Sequence, residues 1–463
     1  MTISEGRING RGDKYNKIVR LSVEKKVYIQ TFGCQMNVHD SEQIITLLRE
    51  SGYEETRRPS EADVILVNTC SIREKAVQKV YSQMGRFAKL KQQNPNLMIG
   101  VGGCLAQQFG RTMLQRAPFV DVIFGTHNNH LVPDFLEKVL ADRHPVVEVA
   151  FRETVPSLSV VPILRKGAIS SFVTIMQGCN NFCSFCIVPY VRGREQSRKP
   201  DDIINEIKTL AGRGIREVTL LGQNVNSYGG TLAEDCDFTK LLRSINLIDG
   251  IQRIRFTTSH PKDLSDDLIA CFGSLDKLCE HIHLPVQSGA DRILSRMNRQ
   301  YTRKDYLNKI TKLRSYCPRI SITSDVIVGF PGETEQDFQD TLDLMNEVQF
   351  DGLFSFQYSE REGTTALSYD GKVENCQKRE RLQILQSLQD EHTLKRNRDL
   401  IGQVVSVLPE GISRNSNKEL KGRTRTNKIV NFSGESSLKG KELALRITDA
   451  YIHSLRGEVP VTN

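Results

Sequence analysis

Long apolar runs are missing from this 463-residue chain. No segment approaches eighteen uninterrupted apolar residues, which excludes a membrane-spanning helix of ordinary length and makes a soluble protein the expectation. The opening stretch, MTISEGRINGRGDKYNKIVR, has no apolar h-region, so no secretory signal is expected. Eleven cysteines in a chain that stays in the cytoplasm point to metal rather than to a disulfide framework. A third absence is local. The run Cys179-Asn180-Asn181-Phe182-Cys183-Ser184-Phe185-Cys186 has no fourth ligand near it, the closest histidines in sequence being His144 and His260. Structural zinc sites want four protein ligands, so the spacing argues against a zinc knuckle.

What the run does contain is three thiols at CxxxCxxC spacing, after an apolar stretch from Phe172 to Met176. Three thiolates can hold three irons of a four-iron cluster and leave the fourth open to an exchangeable ligand. Phe182 and Phe185, interleaved with the ligands, are expected to cover the cluster and tune its potential through burial.

Charge is uneven. The net +8 gathers at the ends: residues 393–463 carry 13 Lys and Arg against 7 Asp and Glu, and residues 1–22 carry 5 against 2. A basic C-terminal module suits a nucleic-acid partner, with a solubilising surface as the alternative. Pattern and punctuation divide the chain into a disordered tail (1–24), an α/β domain (25–143), a Pro-containing linker around Pro156 and Pro162 (144–168), a second α/β domain (169–393) and a basic β domain (394–457).

In the first domain, strands expected at Lys26–Thr31, Asp63–Asn68 and Leu97–Val101 alternate with helices at Asp40–Ser51 and Lys75–Gln92, which implies a doubly wound parallel sheet. Three strands end in cysteine, YIQTFGC at Cys34, VILVNTC at Cys70 and MIGVGGC at Cys104. Parallel strands deliver their carboxyl ends to one edge, where remote residues converge, so a second three-cysteine metal site is expected. Three small buried thiols are the alternative reading.

The second domain shows six strand-like segments, Phe172–Met176, Val218–Leu221, Ile254–Thr257, His281–Leu284, Ile322–Val328 and Leu353–Phe356, with helices between most of them. They suggest a partial (β/α)6 barrel with its reactive loops at the strands' carboxyl ends. Polar and glycine-rich loops follow several strands and make Gln223, Asn224, Ser288, Gly329, Phe330, Pro331, Gly332 and Glu333 candidates for a cofactor pocket. GFPGETEQDF also reads as a turn followed by a capped helix.

From about Lys395 short alternating runs, Gln403–Leu408, Lys428–Phe432 and Leu443–Ala450, read as a small β-barrel. Arg423, Arg425 and Lys428 are its candidate RNA contacts. The preceding helix, about Gln377 to Arg398, is expected to be a connector with its charges mostly in solvent. Cys236, Cys271, Cys279, Cys317 and Cys376 lack ligand spacing and are expected to be structural.

CNNFCSFC together with the glycine-rich loop after the fifth strand resembles the radical S-adenosylmethionine superfamily. Read in order, TFGCQMN, NTCSIREKA, GGCLAQ, the cluster loop through VPYVRGRE, and a basic barrel like the TRAM domain resemble the methylthiotransferases of the MiaB type. The resemblance covers roughly residues 25 to 455 and leaves the N-terminal tail unexplained. It implies two [4Fe-4S] clusters, one on Cys179, Cys183 and Cys186 with exchangeable S-adenosylmethionine, the other on Cys34, Cys70 and Cys104. It further implies a 5′-deoxyadenosyl radical, two S-adenosylmethionine molecules, and methylthiolation of carbon 2 of N6-dimethylallyladenosine at tRNA position 37. The partners implied are that tRNA and an electron donor such as flavodoxin or ferredoxin; a monomer is expected. Rival readings are a sister enzyme acting on a ribosomal-protein aspartate or on threonylcarbamoyladenosine, and a non-catalytic iron–sulfur carrier or RNA-binding module.

Overall fold

The computed structural model describes residues 25–70, 74–152, 164, 167–413, 416 and 418–460, with the backbone alone over 74–77. The tail expected over 1–24 and the linker prolines Pro156 and Pro162 lie outside the described residues.

Runs that are apolar throughout become strands buried on both faces. Val64 and Leu66 enter one core with Ile44, Leu48 and Leu136; their neighbours Ile65 and Val67 enter another with Met84, Phe87 and Leu105. Six strands follow, β1 (Lys25–Thr31), β2 (Tyr53–Glu55), β3 (Val64–Thr69), β4 (Met98–Gly103), β5 (Val122–Phe124) and β6 (Val146–Glu148), in the order β2-β1-β3-β4-β5-β6. Every pairing is parallel. Strand order reverses beside β1, so a crevice opens between the carboxyl ends of β1 and β3.

Two differences from expectation have local causes. The first helix spans Gln35–Glu50 and starts directly after Cys34, five residues before the expected Asp40, because the Asn37 side chain accepts a hydrogen bond from the Cys34 amide (3.4 Å) and caps the helix there. β6 lies within the stretch expected as a linker; its three residues are too few to show a period, yet Val146 and Val147 pair with Val122 and Ile123 and extend the sheet.

The second domain holds β7 (Ser170–Thr174), a short antiparallel ribbon of β8 (Met176–Gln177) and β9 (Gln196–Ser197), and five more strands: β10 (Glu217–Leu221), β11 (Arg253–Thr257), β12 (His281–His283), β13 (Ser321–Val328) and β14 (Gly352–Gln357). The parallel sheets β11-β10-β7 and β12-β13-β14 meet through a bridge between Ile254 and Leu278, which gives an open six-stranded barrel in sequence order. Val218, Leu220, Ile254, Phe256, Ile282, Ile322 and Val326 share one core with the surrounding helices. Alternate residues of the same strands face the lumen.

Five strands, β15 (Val404–Ile412), β16 (Glu419–Thr424), β17 (Ile429–Ser433), β18 (Leu443–Ala450) and β19 (Leu455–Glu458), close into a C-terminal barrel around Val407, Leu420, Val430, Phe432 and Leu445. Two arginines of β11 hold it to the larger barrel. Arg253, with no exposed surface, donates to the Arg423 carbonyl (2.7 Å), Ser406 Oγ (3.0 Å) and the Glu442 carboxylate (2.7 Å). Arg255 donates to the carbonyls of Arg425 (2.9 Å) and Thr424 (2.8 Å) and pairs with Glu217 (3.1 Å). The connecting helix, Asn375–Arg398, is less solvent-facing than expected, since Arg381, Leu385, Gln389 and His392 are buried along it.

Removing Arg253 takes the guanidinium from Glu442 and the donor from the Arg423 carbonyl, while Glu217 keeps Arg255. Arg253→Leu is expected to lower stability by about 1–3 kcal/mol in urea denaturation and to cut amide-exchange protection in β15–β19 more than in β1–β6.

Candidate metal centres

The CxxxCxxC loop hangs from β8 and is fixed on both sides. Gly178 has φ +80°, and a Cβ there would lie 2.1 Å from the Arg194 carbonyl oxygen, so the chain passes only as glycine. Its amide donates to Gln223 Oε1 (2.6 Å). On the other side Ser184 donates through its amide to Met297 O (3.0 Å) and through its hydroxyl to Arg296 O (2.8 Å), while Asn298 Nδ2 donates to the carbonyls of Asn181 and Phe182. Phe185 leans edge-on to the buried Phe330 (6.5 Å), and Phe182 to Tyr190 (6.1 Å).

Burial, with the neighbouring Cys183 adding to it, pushes Cys179 up to about 11 and Cys186 up to about 12. Arg299, buried, donates to Cys183 Sγ (3.4 Å) and to the Pro285 carbonyl, while His260 Nε2 lies 4.0 Å from the same sulfur. Metal ligation requires the thiolate, so an ion bound here would displace protons that burial otherwise retains.

Cys34, Cys70 and Cys104 follow β1, β3 and β4, three strands adjacent in the sheet, at the crevice where the order reverses. The approach is tight. A Cβ on Gly33 would lie 2.9 Å from Cys70 Cβ, and one on Gly103 (φ +88°) would lie 2.3 Å from the Thr69 carbonyl oxygen. Behind the cysteines Asn37 Nδ2 donates to Asn68 Oδ1 (3.1 Å), and Asn68 Nδ2 returns to the Asn37 carbonyl (2.9 Å) and Ser41 Oγ (3.0 Å). This web explains the asparagines of TFGCQMN and NTC; in sequence they showed only as motif letters.

Arg192 ties the segment after Cys186 to the crevice that carries Cys34 and Cys104. It stands six residues after Cys186 on the short helix Val188–Arg192, is 3% exposed, and donates to Asp40 Oδ2 (2.7 Å). Burial works against its charge, but Asp40 and the thiols Cys104 and Cys34 outweigh burial and raise its pKa. Ile187 and Val191 of the same segment pack on Cys104. His127 Nε2 and Thr126 Oγ1 reach the carbonyls of Arg192 and Val191 (2.9 and 2.7 Å). Sequence reasoning missed Arg192, Asp40, Arg299 and His260 as members of these sites; only the VPYVRGRE motif hinted at the first.

Among the described residues no three His, Cys, Asp or Glu side chains are drawn close enough to hold a single ion. A zinc ion needs each thiolate about 2.3 Å from one centre. A four-iron cluster takes its thiolates at separate corners and so does not need three side chains drawn onto one shared centre.

Just past the carboxyl ends of β10, β11 and β12, four buried side-chain oxygens lack partners: Asn224 Oδ1, Thr258 Oγ1, Ser259 Oγ and Gln287 Oε1. Buried polar atoms demand partners, so this set suits a polar ligand. Of the expected pocket residues Asn224 belongs to it, its amide nitrogen bound to Asp263 (2.7 Å). Several others do not. Gln223 braces Gly178; Ser288 Oγ accepts from the Ala290 amide (3.2 Å); Phe330 is fully buried; Gly332 N donates to Gly371 O (2.7 Å) and Pro331 O accepts from Arg296 (3.2 Å). Glu333 turns inward to the Gly329 amide (2.5 Å) and Arg381 (2.8 Å), and burial pushes it up to about 7. The Gly329–Glu333 turn is thus closed on itself, with Thr334 and Asp337 capping the helix that follows.

The three expected RNA contacts are also engaged within the chain. Arg423 pairs with Glu410 (2.8 Å), Arg425 with Glu280 (2.9 Å) and Lys428 with Asp351 (2.8 Å), the last two across the boundary between the barrels. Strand alternation places a side chain on a face; it does not say that another domain covers that face.

Residues 26–125 match an uncharacterised protein family, UPF0004, residues 173–345 the radical SAM superfamily, and residues 398–459 the TRAM domain. A protein of Syntrophus aciditrophicus named tRNA-2-methylthio-N(6)-dimethylallyladenosine synthase is 59% identical over 442 residues, 96% of each chain. One of Geobacter metallireducens with the same name is 53% identical, covering 95% of this chain and 99% of its own. Among solved structures, the radical S-adenosylmethionine methyltransferase TsrM from Kitasatospora setae superposes with TM-score 0.55 at 14% identity, over 74% of this chain and 77% of that one, a likeness of fold.

Arg192→Met leaves Asp40 buried without a partner and is expected to cost about 3–5 kcal/mol in urea denaturation. The double variant Arg192→Met/Asp40→Asn, which removes both charges, is expected to recover part of that loss.

Proposed function

Because the chain belongs to the tRNA-2-methylthio-N(6)-dimethylallyladenosine synthase family, we propose that it is a cytoplasmic radical S-adenosylmethionine transferase that places a methylthio group on carbon 2 of N6-dimethylallyladenosine at position 37 of tRNA. The observation that carries this reading is that Arg192, six residues after Cys186, reaches Asp40 and the thiols of Cys104 and Cys34, so that the segments bearing the two three-cysteine sets pack together. No described helix is long and apolar enough to cross a membrane.

Carbon 2 of a purine carries an aromatic C–H that is far too weak an acid for a carboxylate, imidazole or amine to deprotonate. A [4Fe-4S] cluster with S-adenosylmethionine supplies, when bound, the power to take that hydrogen as an atom. Cys179, Cys183 and Cys186 would hold this cluster. Arg299 donates to Cys183 Sγ and places a fixed positive charge beside it. Burial drives the pKa of His260 down to about 2, so beside the same sulfur it stays neutral. The orphaned oxygens of Asn224, Thr258, Ser259 and Gln287 would accept hydrogen bonds from the cofactor's ammonium, ribose or base.

We assign Cys34, Cys70 and Cys104 to holding a second cluster, which would supply the sulfur of the methylthio group, and two S-adenosylmethionine molecules to each turnover. The positive charge of Arg192 beside Cys34 and Cys104 would stabilise anionic sulfur there. The TRAM domain contributes to tRNA binding, an electron donor such as flavodoxin or ferredoxin supplies reducing equivalents, and the protein acts as a monomer.

The division of labour has a direct test. Cys183→Ala is expected to abolish 5′-deoxyadenosine formation. Cys70→Ala is expected to keep measurable cleavage of S-adenosylmethionine while losing methylthiolated nucleoside, read by mass spectrometry of digested tRNA. Full product from Cys70→Ala would contradict the two-site assignment.

A further inference from the structure

Within the barrel, four side chains share one face of β12, β13 and β14. Thr323 is the register partner of His283, and Asp325 that of Phe354, so all four point to the same side. That side is the lumen. The neighbouring Leu353 packs into the core shared with the helices, and Ser355 Oγ accepts from Gln386 of the helix Asn375–Arg398 (3.3 Å), so the alternate residue Phe354 faces away from them.

His283 is held from behind, its Nδ1 3.1 Å from Thr323 Oγ1, which is in turn 3.4 Å from His281 Nε2. Its other nitrogen lies 3.5 Å from Asp325 Oδ1, and its ring meets Phe354 edge to face, centroids 6.0 Å apart. His283 is the last residue of β12, at the strand's carboxyl end. The Ser259 amide donates to the His283 carbonyl, and the next residue, His260, is the one beside Cys183.

Phe354 is 58% exposed. Among the described residues the other large exposed aromatics, Phe151, Tyr190, Tyr316 and Tyr451, lie off the barrel strands. An aromatic face left open beside polar groups that other side chains hold in place matches how proteins seat a single unstacked base, with stacking on the ring and hydrogen bonds at its edge. The chain contains no tryptophan, so any such ring must be Phe, Tyr or His.

We propose that Phe354 is the stacking platform for the target nucleobase, with His283 and Asp325 orienting its polar edge. The inference rests on the reading that the substrate is an RNA adenine, and names where in the chain that base sits.

The test compares two anticodon stem-loops, one carrying N6-dimethylallyladenosine at position 37 and one with an abasic site there, binding to the reconstituted full-length protein. Wild type is expected to bind the first more tightly. Phe354→Ala is expected to weaken binding of the first by about tenfold to a hundredfold, the usual worth of one stacked base, and to leave the abasic stem-loop unchanged; Phe354→Trp is expected to restore binding. Equal loss on both stem-loops, or no loss on either, overturns the platform while leaving the reaction assignment standing. A wild type that binds the two stem-loops alike overturns the platform too, and a wild type that also leaves the tRNA unmodified shows that the substrate reading failed with it.

Discussion

A guanidinium shut away from water cannot stand without an anion, and that requirement at Arg192 sets the relation between the two α/β domains. The group leaves the loop of one cysteine set and enters the crevice of the other, where Asp40 meets it at 2.7 Å. Taking both charges out of water costs several kcal/mol per ion, repaid only in good geometry with further hydrogen bonds. The pair is therefore a weak source of stability and a strong source of registry. Few relative positions of the domains satisfy it, and the one that does sets Ile187 and Val191 against Cys104.

The same physics recurs at the far end of the barrel. Arg253 and Arg255 replace water with carbonyls and carboxylates from the C-terminal barrel, while Arg425 and Lys428 return the contact to Glu280 and Asp351. Part of the positive charge concentrated near the C-terminus is thereby neutralised within the chain. Charge count points to a nucleic-acid partner; which arginines remain free to meet it depends on how the domains dock.

Much of the scaffold was legible because parallel sheets impose period and punctuation. Both-sided burial demands continuous apolar runs such as VILVNT, and the barrel strands show in the sequence at nearly their observed limits. The exceptions were short or capped from outside the pattern: β6 has three residues, and Asn37 draws the first helix back to Cys34. Past the barrel strands, glycine and polar composition marked the loops but not which of their atoms stay without partners. Ser288 and Glu333 satisfy themselves within the chain, while Gln287 and Ser259 keep buried oxygens without partners.

The sequence by itself determined the CxxxCxxC spacing and which strand ends carry Cys34, Cys70 and Cys104, because spacing along a chain and the direction of parallel strands are local properties. The tertiary structure alone decided that Arg192, from the segment after Cys186, reaches Asp40 beside Cys34 and Cys104, that Arg299 and His260 flank Cys183, and that His283, Asp325 and Phe354 share a wall of the lumen. Those partners come from separate elements, and only burial, by withdrawing water from every charge and polar atom, settles which of them must meet.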